Sequence, residues 1–132
     1  MAQAQKYAPF QIKTVWESKC WGKVHHIFST PQCAVSHLMV TKGFRCSRHK
    51  HEHRANMFCV QSGLLRVRTW DWAEMATRDY DLKAGDTLVV PSGLKHEFHV
   101  IENGRVIEVY WPDRGGECKF DDIVRDDIGG RL

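Results

Sequence analysis

At 132 residues, with 42% hydrophobic and 27% charged side chains, the chain has the makeup of one ordinary globular domain. A domain of this size buries roughly two thirds of its unfolded surface without help from disulfides or a structural metal. The formal net charge of +3, with Lys and Arg interspersed among Asp and Glu, offers no basic face and so excludes nucleic acid and membrane surfaces as partners.

The N-terminal stretch MAQAQKYAPFQIK lacks the apolar centre of a signal peptide, and no run approaches the roughly 20 apolar residues of a membrane helix. Residues 1–12 are expected to form an arm, and 13–132 the domain. Short β-type runs then follow, separated by Gly, Pro, Asn and Asp: Val24 to Phe28, Ala34 to Val40, Arg45 to His51, Met57 to Gln61, Leu64 to Asp71, Arg78 to Asp81, Thr87 to Val90, His96 to Ile101 and Arg105 to Trp111. Turn chemistry separates them at Ser62-Gly63, Ala84-Gly85-Asp86, Pro91-Ser92-Gly93 and Glu102-Asn103-Gly104. Eight or nine strands at that spacing predict an all-β barrel or double-sheet jelly roll. Near the end, Asp121 and Asp122 stand before Ile123-Val124-Arg125 as acidic residues at a helix start do, and predict a short C-terminal helical turn. The five cysteines, odd in number and without a CxxC pair, exclude a disulfide framework and a cysteine zinc site; they read as reduced thiols of a cytoplasmic protein.

Two stretches carry the chemistry. His49 and His51 lie two residues apart, so on a strand both imidazoles face the same side, as two ligands of one ion must. His96 follows a Pro-x-Gly turn and opens a new strand that a barrel can bring opposite the first pair. Imidazole suits zinc, iron, nickel, cobalt and manganese, so three converging histidines specify one divalent transition metal without naming it. Arg45 and Ser47 share the strand parity of the histidines and are expected to face the interior, where Arg45 would grip an anion. By the same alternation Glu52, His53, Glu97 and His99 should point outward, while Phe58, Val60 and Phe98 line an apolar wall. No carboxylate is placed as a base by this pattern; Glu108 could serve if its side of the last strand faces inward, which the sequence does not decide.

These stretches resemble the two cupin motifs, Gly-x5-His-x-His-x4-Glu-x6-Gly and Gly-x5-Pro-x-Gly-x2-His, which appear as Gly43, His49, His51, Asn56, Gly63 and as Gly85, Pro91, Gly93, His96. The resemblance implies a single-domain cupin, a double-stranded β-helix of jelly-roll type, with metal on His49, His51, His96 and the residue at position 56. That residue is Asn where the motif has Glu. The loss of one negative charge should leave the ion more electrophilic and more attractive to anions.

Gly43 to Gly63 further resembles the cupin domain of type II mannose-6-phosphate isomerases, matching at Arg45, Ser47, His51, His53, Arg54, Ala55, Val60, Ser62 and Gly63; FDDIVRDDIGGR resembles that family's tail. This implies a sugar-phosphate isomerase or epimerase with Arg54, like Arg45, catalytic or phosphate-binding. Asn56 in place of Glu favours instead a three-histidine iron dioxygenase, and the departures from the isomerase pattern favour a non-catalytic cupin that binds a small ligand. All three readings take a small-molecule partner, an anionic sugar phosphate in the first. Analogy with other cupins adds a homodimer.

Overall fold

The computed structural model describes residues 8–132, so residues 1–7 of the expected arm lie outside the described residues. Residues 8–14 are exposed and carry no strand. Eleven strands follow among the described residues: β1 Val15–Lys19, β2 Gly22–Thr30, β3 Cys33–Val40, β4 Phe44–Arg45, β5 His49–Lys50, β6 Ala55–Trp70, β7 Thr77–Lys83, β8 Thr87–Val90, β9 His96–Trp111, β10 Val124–Arg125 and β11 Gly130–Arg131. All are joined in one antiparallel sheet. Among the described residues no helix is long and apolar enough to cross a membrane.

The architecture is set by two 16-residue strands, β6 and β9, which pair along nearly their whole length. Each reads in the sequence as two shorter strands, because Ser62-Gly63 and Glu102-Asn103-Gly104 look like turns. In the structure these segments lie opposite each other, and the register shifts at Val60/Ser62, Ser62/Leu64 and Leu64/Leu65. The glycines therefore mark a bulged bend, which curls one sheet into a barrel without reversing the chain. Gly63 has φ 84°, and a Cβ on it would overlap the Asn103 carbonyl. Gly63→Ala should accordingly cost more than about 1 kcal/mol of stability, read from the midpoint of urea unfolding.

Beyond the bend, each half of the long pair recruits its own neighbours. The later part of β9 carries β3, β2 and β1, and the early part of β6 carries β8. The early part of β9 carries β4 and β5, and the later part of β6 carries β7. Between the halves lies a core of alternating residues that includes Val24, Leu38, Phe58, Val60, Leu65, Val67, Phe98, Val100 and Val106. The expected strand Arg45 to His51 is interrupted, leaving β4 and β5 as two-residue pieces separated at 46–48.

The C-terminal helical turn does not form. Val124–Arg125 pairs with Lys50 and His49, and Gly130–Arg131 pairs with Arg45 and Phe44. The acidic residues of the tail cap strands instead of starting a helix. Asp122 accepts from the backbone N–H groups of Glu52 and His53, and Asp127 from those of Arg48 and Gly129.

Candidate metal centre

The two histidine segments meet because β5 lies beside the start of β9, with His49 directly opposite His96. The Pro91-Ser92-Gly93 turn that launches β9 is tied to the same place, Gly93 N–H donating to the His51 carbonyl at 2.6 Å. The imidazole centroids of His49, His51 and His96 lie 4.5–5.5 Å apart, and one ligand atom from each falls within 4.8 Å of the other two. All three residues are buried.

Hydrogen bonding fixes which nitrogen each ring presents. Nδ1 of His49 meets the Ser47 carbonyl at 2.7 Å, Nδ1 of His51 meets the Asp122 carbonyl at 2.7 Å, and Nδ1 of His96 meets the Leu94 carbonyl at 2.9 Å. A carbonyl only accepts, so each Nδ1 carries the proton and each Nε2 is left with a bare lone pair. Nε2 of His51 and of His96 is buried without a protein partner. An orphaned acceptor of that kind is costly in a core, and three rings held in one tautomer by backbone carbonyls are what ligation by neutral imidazole needs. The residues fit a divalent metal ion.

Burial, reinforced by neighbouring rings, holds these imidazoles neutral. His51 is pushed down to about 3 by desolvation and the nearby His96, His96 to about 4 by desolvation, and His49 well below its usual value by desolvation with His96 and His51. The unfolded chain therefore takes up protons first as pH falls below about 6.5. The metal-free fold should be fully stable above that value and lose stability down toward pH 4, by up to about 1.4 kcal/mol per pH unit for each histidine. Urea midpoints of chelator-treated protein at pH 7, 6 and 5 check this slope, and bound metal should suppress it.

Around the trio sit the other candidates. Asn56, 1% exposed, donates from Nδ2 to Glu108 at 3.2 Å and leaves Oδ1 without a partner, an oxygen free to serve as a further donor. Glu108 faces the interior and is buried; desolvation raises its pKa, with Tyr110, Asn56 and the charge of Arg54 only partly offsetting the rise. Tyr110 is raised well above its usual value by burial and by the Glu108 charge. The Arg54 guanidinium stacks on the Tyr110 ring at 3.9 Å. Its Nη2 comes within 3.5 Å of His51 Nδ1, but both atoms are donors. Among the described residues no protein acceptor is bonded to this guanidinium, and its Nε is orphaned. Arg54 is a buried cation without a bonded counter-ion, next to the histidines.

Arg45 is placed otherwise than the parity argument has it. The break after β4 ends the alternation, and Arg45 pairs with His99 on the outer face. Its guanidinium is held by Glu97 at 2.9 Å and by both oxygens of Asp127 at 3.2 and 3.1 Å, which leaves it no role at the interior. Glu97 and His99 do alternate away from His96 and Phe98, yet at 7% and 8% exposure they are buried, beside Arg45. His53 is exposed. Tyr110 was missed, although it follows Glu108 by two residues on one strand and so shares its face. Asp122, which orients His51 through a backbone carbonyl, has no local signal.

A family model described as Cupin domain matches residues 36–111, a span that holds all three histidines, Asn56 and Glu108. The chain belongs to the cupin family. Among curated proteins this cupin is similar to the MmsAB operon regulatory protein of Pseudomonas aeruginosa, 27% identical over 85 residues, which is 64% of the chain and 26% of that protein. Solved structures with the same fold include oxalate decarboxylase from Bacillus subtilis, with TM-score 0.72 and 19% identity over 86% of this chain and 30% of that one. The capsular polysaccharide assembling protein CapF from Staphylococcus aureus gives 0.71 and 18% over 92% and 37%. KdgF from Halomonas sp. gives 0.64 and 20% over 76% and 89%. The cupin thus spans about a quarter of the regulatory protein and about a third of two of these three structures.

Proposed function

We propose that this cupin is a metal-dependent isomerase or epimerase of a small anionic sugar, with chemistry like that of the type II mannose-6-phosphate isomerases. The observation that carries the reading is a pair of buried groups: the interior carboxyl of Glu108, bonded to Asn56, and the guanidinium of Arg54 beside His51, to which no protein acceptor is hydrogen-bonded among the described residues. Isomerising a sugar moves a proton between neighbouring carbons, which needs a base within reach and a cation to hold the substrate's anionic end. Glu108 supports the first role, because burial raises its pKa and so makes its carboxylate a stronger base. Arg54 supports the second: its fork matches a carboxylate or phosphate, and its desolvated setting strengthens that pair. A divalent ion on His49, His51 and His96, with the Asn56 oxygen as a further donor, would supply a Lewis acid to polarise the carbonyl.

The test is solvent exchange. Protein loaded separately with zinc, manganese, cobalt, nickel or ferrous ion is incubated in deuterated water with a panel of sugar phosphates and acidic sugars, and the proton next to the carbonyl is followed by NMR. Metal-dependent loss of that signal for one substrate is expected; its persistence for every substrate and metal overturns the proposal. A three-histidine iron oxygenase is the second reading, favoured by the absence of Asp or Glu from the trio among the described residues. Oxygen consumption specific to the ferrous form would select it. Ligand binding without either reaction would select a binding module, in keeping with the likeness to a regulatory protein.

A further inference from the structure

The tail after the last long strand is stitched along the outer edge of the segment that carries His49 and His51. Strand β10 pairs with β5 and β11 with β4, while Asp126 N–H donates to the Arg48 carbonyl and Leu132 N–H to the Gly43 carbonyl, both at 2.8 Å. The carbonyl of Asp122 holds His51 Nδ1 at 2.7 Å, and its carboxylate caps the N–H groups of Glu52 and His53, each at 2.9 Å. Further along, Asp127 binds Arg45 with both oxygens, and Asp126 binds Arg48 and Lys95. Almost nothing apolar anchors this stretch: Phe120 and Ile128 are 79% and 90% exposed, and Val124 is 43% exposed. A segment held by edge hydrogen bonds and partly exposed ion pairs opens at far lower cost than the core.

We propose that residues 121–132 form a strap that is part of the metal centre, so that strap docking and metal binding stabilise each other, with Asp122 as the positioning residue for His51. The proposal rests on the metal reading above, though not on the reaction assigned to it. With the strap docked, His51 is held in the tautomer that turns Nε2 toward the other two rings. With the strap open, that ring loses the carbonyl that holds it, and its neighbours in the 51–53 turn lose their caps. Coupling of this kind is reciprocal: whatever factor the strap contributes to metal affinity, metal contributes to strap docking.

Gly129 provides a perturbation of the strap that replaces none of the three histidines. Its φ is 75°, and a Cβ there would lie 2.8 Å from the backbone at Arg45, Cys46 and Ser47, so Gly129→Ala should lift the strap; because Ser47 also holds His49 Nδ1, the variant is read together with Asp122→Ala, which leaves that contact in place. Affinity for zinc and for manganese is measured by calorimetry on the full chain, the Gly129→Ala chain and the Asp122→Ala chain. In parallel, amide hydrogen exchange of residues 121–132 is followed with and without zinc. Both variants should bind metal about 10–100-fold more weakly, the scale of losses at groups that orient ligands. Zinc should slow exchange at Asp126 and Leu132 in the native chain, and less in Gly129→Ala. Unchanged affinity in both variants, or strap exchange that ignores zinc, overturns the strap and leaves the metal site standing. A native chain that binds neither metal overturns both. Coupling in a chain that turns over no sugar upholds the strap and rejects the isomerase.

Discussion

Replacing His96 with alanine should abolish the rise in melting temperature that zinc or manganese gives the native chain. A ligand present at 100 times its dissociation constant stabilises a fold by about 2.7 kcal/mol, and the variant should show none of it. His96 alone brings a nitrogen from β9, whereas His49 and His51 come from one short segment and cannot enclose an ion between strands. Loss of a group that merely orients a ligand costs about 10–100-fold in affinity, so loss of the ligand should cost more. The metal-free variant should nevertheless fold. Alanine opens a cavity at a site 1% exposed, but it also removes an Nε2 that is buried with no partner, and these effects oppose each other. The outcome is read from thermal melts with and without metal. A variant that keeps the full metal-induced rise would place the ion elsewhere.

The three histidines were legible because two physical periods expose them. Alternation along a strand puts His49 and His51 on one side, and the Pro91-Ser92-Gly93 turn puts His96 at the head of a strand. The same counting failed at Arg45, since alternation holds only while a strand is unbroken and the chain leaves its ladder at 46–48. Ser62-Gly63 shows the converse ambiguity. A glycine with positive φ reads identically whether the chain reverses or bends, and only the partner strand, bending at Asn103-Gly104, decides between them. The tail misled for a third reason. Asp122 and Asp127 have the chemistry of helix caps, but apart from Gly129 N–H what they cap are backbone groups some 70 to 80 residues away, a pairing with no local trace. Arg54 and Asn56 could be named from motif position, but the buried, unpaired state of Arg54 exists only once Tyr110 and His51 are folded against it.

Glu108→Gln should lower the rate of substrate proton exchange by about 10²–10⁴-fold, the usual share of a positioned general base, and largely keep metal affinity, because the amide still offers Asn56 Nδ2 an oxygen and none of the three histidines is touched. The amide preserves shape and keeps an oxygen for the Asn56 Nδ2, so the interior should not rearrange. Stability separates a catalytic carboxyl from a structural one. The folded pKa of Glu108 is raised above 4.5, chiefly by burial, so the group favours folding most below its unfolded value, and that contribution is lost as pH rises through the folded one. Glutamine carries no such penalty. The variant's stability relative to the native chain should therefore increase as pH rises above about 4.5, with urea midpoints at pH 4.5, 6 and 7.5 as the measurement. A buried carboxyl whose charged form burial disfavours, and which a single substitution could make neutral, is explained by the proton it handles. If the glutamine chain exchanges substrate protons at the native rate, that explanation fails and the base is another group.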